Sequence, residues 1–135
     1  MFKVIAMPYV YKEAMKLDKQ PKVGGGECVA LVRLYAGAPI ARTWREGSKV
    51  VGDRTLSLGT AIATFDKHGK WPGKPKGNHA AFYLGQTSDF VRIVDQWNRG
   101  DKKTISTRLI FRLGKNPDGS YVRPSDNADA FSVIE

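Results

Sequence analysis

The chain has 135 residues, 41% of them apolar and 26% charged, which fits one globular domain with its own core and excludes a disordered or fibrous protein. Its 22 Lys and Arg against 13 Asp and Glu leave a net charge of +9, which requires a partner that tolerates a basic protein: nucleic acid, anionic lipid or anionic wall polymer. One cysteine excludes an internal disulfide and the cysteine-rich metal sites.

The start, MFKVIAMPYVYKEAMKL, is amphipathic and broken by Lys3, Lys12 and Glu13. It has neither the apolar stretch of a signal peptide nor the length of a membrane span, so the expectation is a chain made in the cytoplasm and exported, if at all, without a cleaved signal. Pro8 suits a first helical turn, and Val10, Ala14 and Leu17 recur at helical spacing, which predicts a first, surface helix. Lys19 to Gly26 is loop and ends in three successive glycines. Cys28 to Ala36 then runs almost wholly apolar up to Gly37 and Pro39, which predicts a second, buried helix. Ala41 to Leu58 is mixed, with Trp44 as a core anchor among short helical turns and loop.

From Gly59 onward the pattern turns to strands: Thr60 to Phe65, His79 to Leu84, Phe90 to Trp97, Thr104 to Arg112, and Ala130 to Ile134 as a closing edge. Asn116-Pro117-Asp118-Gly119 is a tight turn by residue type. Helices first and strands later describe one α+β domain over residues 1–135, with N-terminal helices packed on one face of an antiparallel sheet.

Nucleic acid is a poor answer to the charge, because basic residues are scattered from Lys12 through Arg54 to Arg123 without one basic helix or an aromatic and arginine motif. The residues that carry chemistry lie elsewhere. Cys28 opens a helix, where unpaired N–H groups and the positive end of the dipole activate a sulfur nucleophile, and the glycines before it leave the approach open. A backbone N–H at this helix start can also receive an oxyanion. The alternative is a small buried residue on an apolar helix, which holds unless a base exists. Of the two histidines, His68 sits in the charged segment Asp66 to Lys70 and reads as a solvated group. His79 follows Gly77-Asn78 and opens the run Ala80 to Leu84, so a rigid strand holds it, either as a base or as a strand-end group bonded to a carbonyl.

Strand alternation places Val91, Ile93, Asp95 and Trp97 on one face and Arg92, Val94 and Gln96 on the other. A carboxylate on the apolar face needs a partner, and the His79 imidazole is the natural one. A salt bridge to an arginine such as Arg108 competes, and Gln96 is the second candidate to orient the ring. The Lys-rich loop from Asp66 to Gly77, with Trp71, is expected to border a cleft or to be an ordinary solvated hairpin loop.

Three blocks, Gly-Gly-Glu-Cys-Val-Ala-Leu-Val, Gly-Asn-His-Ala-Ala-Phe-Tyr-Leu and Val-Arg-Ile-Val-Asp-Gln-Trp-Asn, resemble the signature blocks of the CHAP and NlpC-type cysteine amidases, over residues 24–98. The resemblance implies a papain-like α+β fold, with Cys28 as nucleophile, His79 as general base and Asp95 in the third position, where CHAP proteins more often carry Glu or Asn. Gly26, Glu27, Gln96 and Trp71 are secondary candidates for substrate or oxyanion contacts. Glu27 departs from the polar neutral residue usual before the cysteine. The implied activity is hydrolysis of a peptide amide bond in peptidoglycan through a thioester, with no cofactor and no metal. A basic amidase of this length also resembles the toxins delivered by type VI secretion into the periplasm of rival bacteria. That likeness implies the secretion machinery and a cognate immunity protein as partners. Phage lysis amidases are the other short relatives, acyl transfer is the other chemistry, and a non-catalytic module binding wall or partner on a degenerate amidase fold is the other class.

Overall fold

The computed structural model describes residues 7–135, so the reading of residues 1–6 as part of a signal-free start lies outside it. Among the described residues six strands form one antiparallel sheet: β1 (Glu46–Lys49), β2 (Ala61–Thr64), β3 (Ala80–Gln86), β4 (Phe90–Asp95), β5 (Ser106–Phe111) and β6 (Phe131–Ile134), in the order β1-β6-β2-β3-β4-β5. With the α-helix α1 (Cys28–Ala36) and short 3-10 turns, the architecture is α+β. No helix among the described residues is long and apolar enough to cross a membrane.

The sheet is buried on both faces. On one, Leu31 and Val32 of α1 pack with Trp44, Ala61, Ala63, Phe82 and Val94; on the other, Ile62, Tyr83, Val91, Ile93 and Ile110 pack with Phe131 and with Ala128 and Ala130 of a 3-10 turn. Alternate residues of β2, β3 and β4 therefore enter different cores, with α1 over one of them. The C-terminal segment Pro124 to Ala130 supplies the second layer.

The first helix and strands β1 and β6 differ from expectation, each for a tertiary reason. The predicted first helix is only a 3-10 turn, Ala14–Leu17, and Ala14 and Leu17 are buried rather than on a surface helix. Backbone bonds from Tyr11 N to Gly59 O (2.9 Å) and from Ala61 N to Tyr9 O (2.8 Å) draw the preceding residues along the sheet. These satisfied groups outweigh a modest helix propensity. Strand β1 was expected as loop, because Glu-Gly-Ser-Lys has no strand character; its partner β6 recruits it. Strand β6 is accordingly internal, pairing with β1 and β2, rather than an edge.

Helix α1 exposes Arg33 and Leu34, so it buries one face instead of all of its surface. It ends as its sequence predicts: Gly37 takes the left-handed conformation (φ +73°) and its N–H donates to Arg33 O at 3.1 Å. Trp44 is the expected anchor, fully buried with its indole N–H donating to Pro39 O at 2.8 Å. The Asn116–Gly119 turn also forms, closed by Gly119 N to Asn116 O at 2.9 Å.

Candidate active site

Strand register assembles the first half of the site. Phe82 pairs with Val94, so extending the ladder by three residues sets His79 diagonal to Asp95 on the same face. Across the next pair, Asp95 lies opposite Ser106 and Ile93 opposite Arg108, which makes Arg108 the diagonal neighbour on the other side. A row of His79, Asp95 and Arg108 thus crosses three adjacent strands.

The row is closely bonded. Asp95 is fully buried; its Oδ2 accepts from His79 Nε2 at 2.7 Å and from Arg108 Nε at 2.8 Å, and its Oδ1 accepts from Lys102 Nζ at 3.0 Å. The two partners weighed for Asp95, the imidazole and an arginine, therefore share one carboxylate. Arg108 is fixed in turn by Asp126 Oδ1 at 2.8 Å and Ser125 O at 3.0 Å. Lys102 and Arg108 both lie over the Trp97 ring, 4.2 and 5.2 Å from its centroid. The His79 ring, 4% exposed, stands edge-on to Trp97 and Phe131.

These contacts set the protonation states. Burial by itself pushes the His79 pKa down, but the hydrogen bonds and charges of Asp95 and Cys28 outweigh it and raise the pKa to about 9. Burial would push Asp95 up, yet the bond to His79 and the charges of His79, Arg108 and Lys102 hold it far below the usual carboxylate range. At neutral pH the row is a charged imidazolium on a carboxylate.

The second half of the site comes from the other side of the sheet. Cys28 is the first residue of α1, half-buried, with its sulfur close enough to bias the His79 proton. Asp95 occupies Nε2, so Nδ1 is the ring nitrogen it does not engage. Glu27, at the N-cap, makes no side-chain hydrogen bond to the first N–H groups of the helix. The glycine run before it turns sharply. Gly26 has φ +87°, a conformation that favours glycine, and a Cβ there would sit tightly, 3.3 Å from Asn98 Cβ.

Cys28 and His79 open into a cleft of about 360 Å³ with Glu27, Lys76, Asn98 and Arg99 at its rim. Of the secondary candidates only Glu27 lines the cleft; Gly26 is buried in the turn behind it, and Gln96 and Trp71 lie elsewhere. Gln96 does not reach the imidazole; it is buried among the backbone groups of the loop before Cys28. Trp71 packs edge-on against Trp44, ring centroids 5.2 Å apart, and does not line the cleft. Of the lysines in the Asp66 to Gly77 loop, Lys76 alone lines the cleft, so the loop borders it only at its C-terminal end. His68 is exposed in a turn whose backbone bonds to Asp66, beside a separate depression with Arg42, Arg45 and Lys70.

Lys102, Asp126 and Ser125 were not anticipated from the residue pattern. Strand pairing brings the β4–β5 connection back over Asp95, but nothing in residue type separates Lys102 from Arg99 or Lys103 in that connection.

Residues 10–134 match the family described as domesticated amidase effector 2 (Dae2). A protein of Salmonella typhi described as "Type VI secretion amidase effector 2 protein" is 40% identical over 134 residues, covering 96% of this chain and 100% of that one. A solved structure of "Type 6 secretion amidase effector 2 (Tae2)" matches with a TM-score of 0.88 at 40% identity, covering 94% of each chain.

Proposed function

The chain belongs to the domesticated amidase effector 2 family, and from that premise we propose that it is an antibacterial amidase that hydrolyses a peptide amide bond of peptidoglycan through a thioester on Cys28. The observation that carries the reading is the buried 2.7 Å His79–Asp95 bond, made by the histidine that lines one cleft with Cys28.

Asp95 holds the ring in one orientation and stabilises its charged form, so imidazolium and sulfur anion form the reactive pair. The sulfur attacks the amide carbon, and the carbonyl electrons move to oxygen, where the N–H groups at the start of α1, that of Cys28 first, receive the charge. Collapse breaks the C–N bond as His79 gives its proton to the leaving amine. Water then adds to the thioester, losing a proton to His79. The C–S bond breaks and the acid product leaves. Glu27 lines the approach to the sulfur from the loop side, and Gly26 sets the turn behind it.

In this reading residues 1–135 act as one papain-like domain, delivered by type VI secretion to the periplasm of a target cell. A cognate immunity protein would inhibit it by filling the cleft. The basic surface suits an anionic wall substrate.

Purified peptidoglycan incubated with the protein and analysed by mass spectrometry tests the proposal. New termini at one amide bond, absent with Cys28→Ala, are expected. Unchanged peptidoglycan that nonetheless retains the protein on a pull-down would overturn hydrolysis in favour of a wall-binding module, and an added amine in the product would replace hydrolysis by acyl transfer.

A further inference from the structure

Asp95 and Gln96 are consecutive, and their side chains serve opposite sides of the sheet. Asp95 binds the imidazole; Gln96, fully buried, binds the loop that delivers the cysteine. Its Oε1 accepts from Val23 N at 3.0 Å, while its Nε2 donates to Val23 O at 3.0 Å and to Glu27 O at 2.8 Å. Glu27 is the N-cap of α1, immediately before Cys28. Both ends of the five-residue glycine loop are therefore pinned by one amide. The next residue adds a second tie, since Lys22 Nζ donates to Trp97 O at 3.0 Å.

We propose that Gln96 is a positioning residue for Cys28: its amide sets the loop from Val23 to Glu27 so that the sulfur meets the imidazole held by the adjacent Asp95. The inference rests on Cys28 as the nucleophile. The loop needs such a clamp because Gly24, Gly25 and Gly26 have no side chains with which to hold themselves, and glycine has the most backbone freedom to lose. A buried amide with three backbone partners restricts that freedom at fixed geometry. A small displacement of a reacting atom costs about 10²-fold in rate, so the clamp acts on turnover rather than on substrate affinity. One strand end thereby fixes both members of the reacting pair, on its two faces.

The test compares Gln96→Glu, which keeps the shape and the acceptor for Val23 N–H but loses both donors, and Lys22→Met, which cuts the neighbouring tie at the edge of the loop. Turnover on solubilised peptidoglycan fragments, KM, thermal midpoint and the rate of Cys28 alkylation by iodoacetamide at pH 7 are measured for each. Gln96→Glu is expected to lower kcat at least tenfold with KM within twofold, and to slow alkylation at least fivefold. Lys22→Met is expected to lower kcat by about threefold with an unchanged midpoint. Folded Gln96→Glu with parental kcat and alkylation rate would overturn the proposal. So would an activity loss that only follows the unfolded fraction. If Gln96→Glu does not fold, Lys22→Met decides: parental kcat and alkylation rate in that variant overturn the clamp. The alkylation rate needs no substrate, and Cys28→Ala run in parallel separates the two failures: activity surviving in Cys28→Ala would overturn the cysteine mechanism and the clamp with it, whereas an inactive Cys28→Ala beside a parental Gln96→Glu would overturn the clamp alone.

Discussion

The molecule has two concave sites that each hold a histidine and several cations, and they are built in opposite ways. Around His79 the cations Arg108 and Lys102 converge on one buried carboxylate, and the ring is bonded, packed and charged. Around His68 the cations Arg42, Arg45 and Lys70 line a depression of about 570 Å³, larger than the cleft, and Asp66 spends its carboxylate on the backbone of its own turn, accepting from His68 N and Lys70 N. The difference shows that size and charge do not make chemistry. A reactive imidazole needs a strand to hold it and a desolvated acid to set its proton.

Removing a reacting group breaks the comparison most sharply. Cys28→Ala is expected to abolish hydrolysis, and His79→Ala to lower kcat by about 10² to 10⁴-fold, the range that a general acid–base residue contributes. Circular dichroism should show both folded, and residual activity above a few per cent in either would remove the distinction between the two histidine sites.

Asp95→Asn comes next. It keeps the shape but leaves Arg108 and Lys102 facing a neutral group, and it removes the charge that sustains the imidazolium; kcat should fall by about 10²-fold or more with a smaller change in KM. Breaking a buried ion pair on one side costs about 3–5 kcal/mol, so its thermal midpoint should fall as well. The same contact predicts a pH dependence. The His79 pKa is raised in the folded state, to about 9 from the ordinary 6.5, so its contribution to stability is complete below pH 6.5 and is lost as the pH climbs to about 9. The kcat/KM profile should show an alkaline limb near the same value, because the leaving amine then lacks its proton donor. Asp95, depressed, adds stability that fails only in strong acid. A kcat/KM profile flat through pH 9 would sink the proton assignment.

Lys76 should have a smaller effect. It is the loop lysine at the cleft, so Lys76→Ser is expected to raise KM severalfold at low salt and hardly at all near 0.5 M, where the screening length falls to about 4 Å. Lys67→Ser and Lys74→Ser should leave KM unchanged, and an equal rise in all three would mean that net charge rather than the cleft attracts the substrate.

Much of this geometry was legible because strand parity is a strong constraint. A carboxylate sharing the period of Val91 and Ile93 had to find an internal partner, and His79 opened the neighbouring strand. The layer over the second face was hidden by the same periodicity: Ala-Ile-Ala-Thr in β2 is buried at every position, so alternation carries no signal there. The contacts of Gln96 were hidden for a different reason. A buried amide can satisfy any polar neighbour, and its partners at Val23 and Glu27 lie about 70 residues away in the chain, beyond the reach of local pattern. Strand β1 and the Trp71–Trp44 contact are likewise consequences of assembly rather than of local sequence.

The smallest expected effect is at His68, and it tests the comparison from the silent side. His68 offers its backbone N–H to Asp66 Oδ1 at 2.8 Å, a bond that any residue with an amide would make, and its ring is exposed. Substitution by Ala therefore leaves the turn intact, removes no buried contact, and falls within the range of about ±0.5 kcal/mol usual for surface changes. Activity should stay within twofold of the parent at pH 7, and the alkaline limb near pH 9 should not move, because that limb belongs to His79. A loss in His68→Ala comparable to that in His79→Ala would mean that the base had been assigned to the wrong depression, and that an exposed imidazole among cations can do what the buried pair is argued to do.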